Sequence, residues 1–148
     1  MKLFFAFILL PLLINGSLWV NNLEQAEQTA QKEHKLILLN FSGSDWCGPC
    51  IRMHKEIFDS EEFLKFTNNH LVMVNADFPR MKKNQLSKDQ QKSNDLLAEK
   101  YNSEGNFPCT LLLDSHGKVL YAWKGFYNKG AESFTYEVKQ IAENNHTK

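Results

Sequence analysis

The sequence predicts one α/β domain. Two continuous apolar runs, "KLILLNF" and "HLVMVNADF", suit strands buried on both faces, and polar segments with helical spacing lie between and around them. A hairpin followed by one amphipathic helix then closes the chain.

The elements follow in order. "NLEQAEQTAQKEHK" is rich in strong helix formers and sets Leu23, Ala26 and Ala30 on one face, so it predicts a first helix. "KLILLNF" is the first strand. After Cys47 and Cys50, the residues Ile51, Met53, Ile57 and Phe58 continue at roughly helical spacing. A shorter helix runs through "SEEFLKFTNN", with Ser60 as N-cap and Phe63 beside Phe66. "HLVMVNADF" is the second strand. A polar loop leads into a helix capped by Ser87, whose apolar face is Leu96, Leu97 and Tyr101. "CTLLLD", "SHG" and "KVLYAWKGF" form a hairpin with Gly117 in the turn, and the alternation of Val119, Tyr121 and Trp123 turns the second arm toward a core. The last helix, "AESFTYEVKQIAEN", carries Phe134, Val138 and Ile141 on one stripe.

The 148 residues, 43% of them apolar and 12% aromatic, suit a single domain with its own core. Seventeen basic residues balance seventeen acidic ones, so the overall charge points to neither nucleic acid nor an anionic membrane. Residues 1–17 form a separate unit. Lys2 supplies a positive start, and Leu3 to Ile14 form an apolar run that fits a secretory signal but falls short of the ~20 residues that span a bilayer. Gly16 and Ser17 are the small residues where cleavage is expected, leaving a mature domain of residues 18–148 that works outside the cytoplasm, periplasmic or secreted.

The chemistry concentrates in "GSDWCGPC", residues 43–50. A structural zinc site needs four ligands. Cys109 and the histidines His34, His54, His70, His116 and His146 are scattered rather than paired at ligand spacing, and His54 reads as a solvated helix-face residue. No metal is expected. A structural disulfide closing so short a loop would stabilise the fold only weakly. A redox pair explains the positions better. Cys47 falls where strand gives way to helix, and free N–H groups with the helix dipole there stabilise a thiolate, lowering its pKa from ~8.5 toward ~7 or below. Pro49 sits just inside the helix, where its missing N–H costs nothing. Cys50, one turn on, is placed to attack a mixed disulfide held on Cys47.

Those residues resemble the thioredoxin family, and the resemblance covers most of the mature chain. "WCGPC" matches that family's active-site signature, and "NFPCTLLLDSHGKVL" is similar to the strand–turn–strand that begins at its cis-proline, here Phe107-Pro108. "NFSGSDWC", "EEFLKF", "VNADFPR" and "KSNDLLAEKY" look most like the secreted branch that includes the DsbH type of disulfide reductase. The resemblance implies a thioredoxin fold, a central mixed sheet flanked by helices. It implies Cys47 as nucleophile and Cys50 as resolving thiol, with Trp46, Gly48 and Pro49 supporting them. It implies Phe107 and Pro108 at the substrate backbone, and a Cys47–Cys50 disulfide in place of any cofactor.

Three departures, and one charged neighbour of Cys47, bear on mechanism. Asn40 stands where thioredoxins carry a buried aspartate that takes a proton from the resolving thiol, and an amide cannot do so. Asp45, close to Cys47, is expected at the surface as a weak opponent of the thiolate. Cys109 follows Pro108 where threonine is usual, and is expected to be buried and free, packing as a small hydrophobe. A polar insertion carrying Arg80, Lys82, Lys83, Lys88 and Lys92 is read as a solvated loop, with a docking surface for an acidic partner as the sharper reading.

The Gly-Pro pair is that of reducing thioredoxins. The expectation is therefore a monomeric protein-disulfide reductase that acts on disulfide-bonded exported proteins and draws electrons from a membrane donor. An oxidase or isomerase, and a peptide-binding or chaperone module of the same fold, are the alternatives.

Overall fold

In the computed structural model, which describes residues 18–146, five strands form one mixed sheet in the order β1-β3-β2-β4-β5. The parallel part is β1 (Trp19–Val20), β3 (Leu71–Asp77) and β2 (Leu36–Ser42). Antiparallel to β2, β4 (Cys109–Leu113) continues through a turn at Gly117 into β5 (Val119–Lys124). Gly117 has a φ of 78°, and a side chain there would also collide with Glu27 and the Tyr101 hydroxyl. The signal segment, residues 1–17, lies outside the described residues.

Five helices cover the sheet. Helices α1 (Leu23–Glu33) and α4 (Lys88–Tyr101) lie on the face made by Ile37, Leu39, Phe41, Val74, Ala76 and Leu111. Helices α2 (Gly48–Met53), α3 (Glu61–His70) and α5 (Gly130–His146) lie on the other, over Leu36, Leu38, Met73 and Leu112. Ser60 and Ser87 are the N-caps expected of them: their hydroxyls accept from the backbone N–H of Phe63 at 3.3 Å and of Gln90 at 3.2 Å.

Four details differ from the sequence reading. The strand β1 is only two residues long and was not anticipated. Helix α2 runs directly into a wider π turn, His54–Phe58, instead of a regular helix. In α4, Leu96 is 57% exposed. Asn94 is buried in its place and donates to the Asp77 carbonyl at 2.8 Å, which turns Leu97, Ala98 and Tyr101 inward. In β5, Val119 and Tyr121 are exposed and only Trp123 is buried. A bulge opposite Leu112 and Leu113 resets the alternation, so Leu120 packs on the core where Val119 was expected. Phe63 meets Phe58 and Phe134, and Phe66 stacks on His70.

Candidate active site

The cysteines sit where β2 ends and α2 begins. Cys47 is the N-cap of α2, and its sulfur accepts from the Cys50 N–H at 3.2 Å. Pro49 occupies the first turn of the helix. The two cysteines are joined by a disulfide, their Cα atoms 5.2 Å apart, and both are buried, whereas Gly48 and Pro49 are exposed. The helix start thus holds both sulfurs and presents the backbone between them to solvent.

Trp46 forms one wall. Its indole lies across Gly43, where a side chain would overlap the ring, and its N–H donates to the Phe78 carbonyl at 2.7 Å. The Phe107-Pro108 peptide is cis. The Phe107 ring stands 5.5 Å from Trp46 and 5.5 Å from Phe78, so the proline loop and the cysteine loop meet through aromatic contact. Pro108 is buried.

Asp45 stays at the surface, as expected, but it is tied down by partners the sequence did not show. Its carboxylate faces the insertion, accepting the backbone N–H groups of Arg80 at 2.9 Å and Met81 at 3.0 Å and the Asn84 amide at 3.0 Å. The Arg80 backbone bond, first, and the Asn84 amide hold its pKa below the usual carboxylate value. The clamp fixes the loop beside the site, and the Arg80 guanidinium lies 3.7 Å from the centre of the Trp46 ring. Lys82 and Lys83 follow in a single 3-10 turn.

A polar cluster lies beneath α2. Asn40 is fully buried, accepts from the Thr110 hydroxyl at 3.0 Å and donates to Asn75 Oδ1 at 3.0 Å. Ser42 bridges Asn75 and Asp77. Among the described residues, no buried side-chain nitrogen or oxygen lacks a partner. His54 also belongs to this cluster. It is half-buried, with rings of Trp19 and Phe58 at 5.1 and 5.2 Å and its Nε2 3.5 Å from Asn40 Nδ2. Burial, opposed by Asp59 and Asp77, lowers its pKa. The expectation of a solvated helix-face histidine is therefore overturned. Its spacing of four from a buried cysteine was the available signal.

Cys109 is buried and free, and burial pushes its pKa up. It packs with Phe41 and Leu111 on the face of the sheet under α1 and α4, opposite the polar cluster. Among the described residues, no helix is long and apolar enough to cross a membrane.

Comparison with known proteins places this arrangement. A thioredoxin-like domain family model matches residues 23–141. The disulfide bond reductase DsbH of Chlamydia pneumoniae is 40% identical over 121 residues, covering 82% of this chain and 70% of that protein. The thioredoxin-related protein DsbJ of the same organism is 27% identical over 125 residues, covering 84% of this chain but only 35% of the relative. A solved structure of a DsbH oxidoreductase superposes with a TM-score of 0.74 at 35% identity, covering 82% of each chain. The chain belongs to the thioredoxin-like family, and is a DsbH-like thiol–disulfide oxidoreductase carrying the Cys47–Cys50 pair.

Proposed function

We propose that the protein is a reductase of disulfides in exported proteins. The observation that carries this is Cys47 at the start of α2 with Gly48 and Pro49 between it and Cys50. Unpaired backbone N–H groups stabilise the Cys47 thiolate, as they do in reducing thioredoxins. The C. pneumoniae relative is itself named a disulfide bond reductase.

The Cys47 thiolate attacks a substrate disulfide and forms a mixed disulfide. Cys50 then attacks the Cys47 sulfur, releases the reduced substrate and leaves the Cys47–Cys50 disulfide, so no further cofactor is needed. Trp46 and Phe107 line the cysteine loop, and the cis Phe107-Pro108 turn holds the substrate backbone against the pair. The Arg80 loop offers positive charge to acidic substrates. A leader in residues 1–17 sends the domain to the periplasm, where a monomer receives electrons from a membrane donor.

Equilibration with glutathione tests the direction. The pair is expected near about −270 mV, the thioredoxin value. A potential near about −120 mV, that of a strong oxidant, would reverse it.

A further inference from the structure

We propose that His54 is the base that takes the proton of Cys50 when Cys50 resolves the mixed disulfide. The inference rests on the dithiol exchange described above.

The geometry carries it. Cys50 is 1% exposed, on the side of α2 that faces the sheet, so a proton leaving its sulfur needs a carrier. Asn40, on the strand face that α2 covers, is not that carrier. Its oxygen is taken by Thr110 and its amide by Asn75, and an amide holds no proton at neutral pH. His54 follows Cys50 by one helical turn, and its backbone N–H donates to the Cys50 carbonyl. Residues so spaced leave the helix on the same side.

The ring is held in place on several sides. Trp19 and Phe58 pack against it, and the Asn40 amide lies 3.5 Å from Nε2. The amide can only donate, so the contact turns the Nε2 lone pair toward the cluster, and at the long limit of a hydrogen bond it is weak enough to be displaced by an incoming proton. The charged groups acting on the ring are Asp59, at the end of its own helical segment, and Asp77, from β3; β1 and β2 face it with Trp19 and Asn40. Both carboxylates favour protonation and burial outweighs them, so the ring is neutral and ready to accept a proton at pH 7. Its partial exposure gives that proton a way out.

The step balances. In the proposed step the Cys50 S–H proton passes to the neutral His54 ring, directly or through one water. The Cys50 thiolate attacks the Cys47 sulfur, and the bond between Cys47 and the substrate sulfur breaks with its electron pair on the substrate. The Cys47–Cys50 bond forms, the protein losing the two electrons that the substrate gains. His54 then releases its proton through solvent to the departing thiolate.

Dithio-bis-nitrobenzoate separates the two halves of this reaction. One thionitrobenzoate is released as Cys47 attacks and a second as Cys50 resolves. In His54→Gln the first release is expected at the wild-type rate. The second is expected to slow by about a hundredfold at pH 7 and to recover as pH rises and Cys50 ionises unaided. Adding Asn40→Asp to that variant supplies a carboxylate at the same cluster and is expected to restore the second release. Unchanged rates for both releases, both releases slowed together, or a double variant as slow as His54→Gln would each overturn the assignment. The assay is blind to cellular direction: an oxidising potential together with a His54-dependent second release would defeat the reductase reading and leave this one standing.

Discussion

One face of the sheet is built in two ways along its length. On the side under α2, α3 and α5, β2 presents Leu36 and Leu38 and then Asn40 and Ser42, while β3 presents Leu71 and Met73 and then Asn75 and Asp77. The apolar half carries an aromatic stack centred on Phe134, whose ring lies within 6.0 Å of those of Phe58, Phe63, Trp123 and Tyr127. The polar half lies under α2 beside the cysteines, and its side chains are partnered with one another. Burial drives the first half. In the second, each buried polar group needs a partner and contributes about 1 kcal/mol net, less than an apolar side chain of the same size would. Stability alone would have continued the leucines. The switch to polar residues at the cysteine end fits the proposed chemistry: it holds His54 over Asn40, one helical turn from the buried Cys50.

The largest effect should come from the apolar half. Phe134→Ala is expected to lower unfolding free energy by about 3–5 kcal/mol, read from urea denaturation. Insulin reduction per folded molecule should stay near wild type. A comparable loss of activity per folded molecule would break the division between the two halves.

Much of this division was legible in the sequence. The asparagines interrupt "LILLNF" and "LVMVNADF" in plain view, the serine caps and the cysteine pair stand where local spacing put them, and Phe107-Pro108 is cis as the family resemblance implied. What stayed hidden depends on contacts distant in the chain. Trp19–Val20 is too short to show a period and exists as a strand because it pairs with Met73 and Val74. The β5 alternation misleads because a bulge in pairing with β4 leaves no mark in composition. Asp45 reads as a loose surface charge until the insertion folds back onto it. His54 reads as solvated because its cover, Trp19, comes from the far end of the chain.

The smallest effect is one of pH. Burial lowers the His54 pKa from its ordinary 6.5, so the unfolded chain binds that proton more readily than the folded one. The stability contribution is present above pH 6.5 and is lost as pH falls through the lowered folded value. The urea midpoint of the oxidised protein should therefore fall between pH 7 and about pH 5, and fall less in His54→Gln. Glu137, whose carboxylate is held below its ordinary 4.5 by the Trp123 and Tyr127 hydrogen bonds, titrates in a lower window and does not blur the comparison. An equal slope in the two proteins would remove His54 from the buried cluster.

The central claim is that the start of α2 makes Cys47 an unusually stable anion. The rate of Cys47 alkylation by iodoacetamide in the reduced protein, followed from pH 4 to pH 10, reads this directly. The account predicts a half-maximal rate at or below about pH 7, well under the ~8.5 of a free cysteine. A midpoint at or above ~8.5 would contradict it.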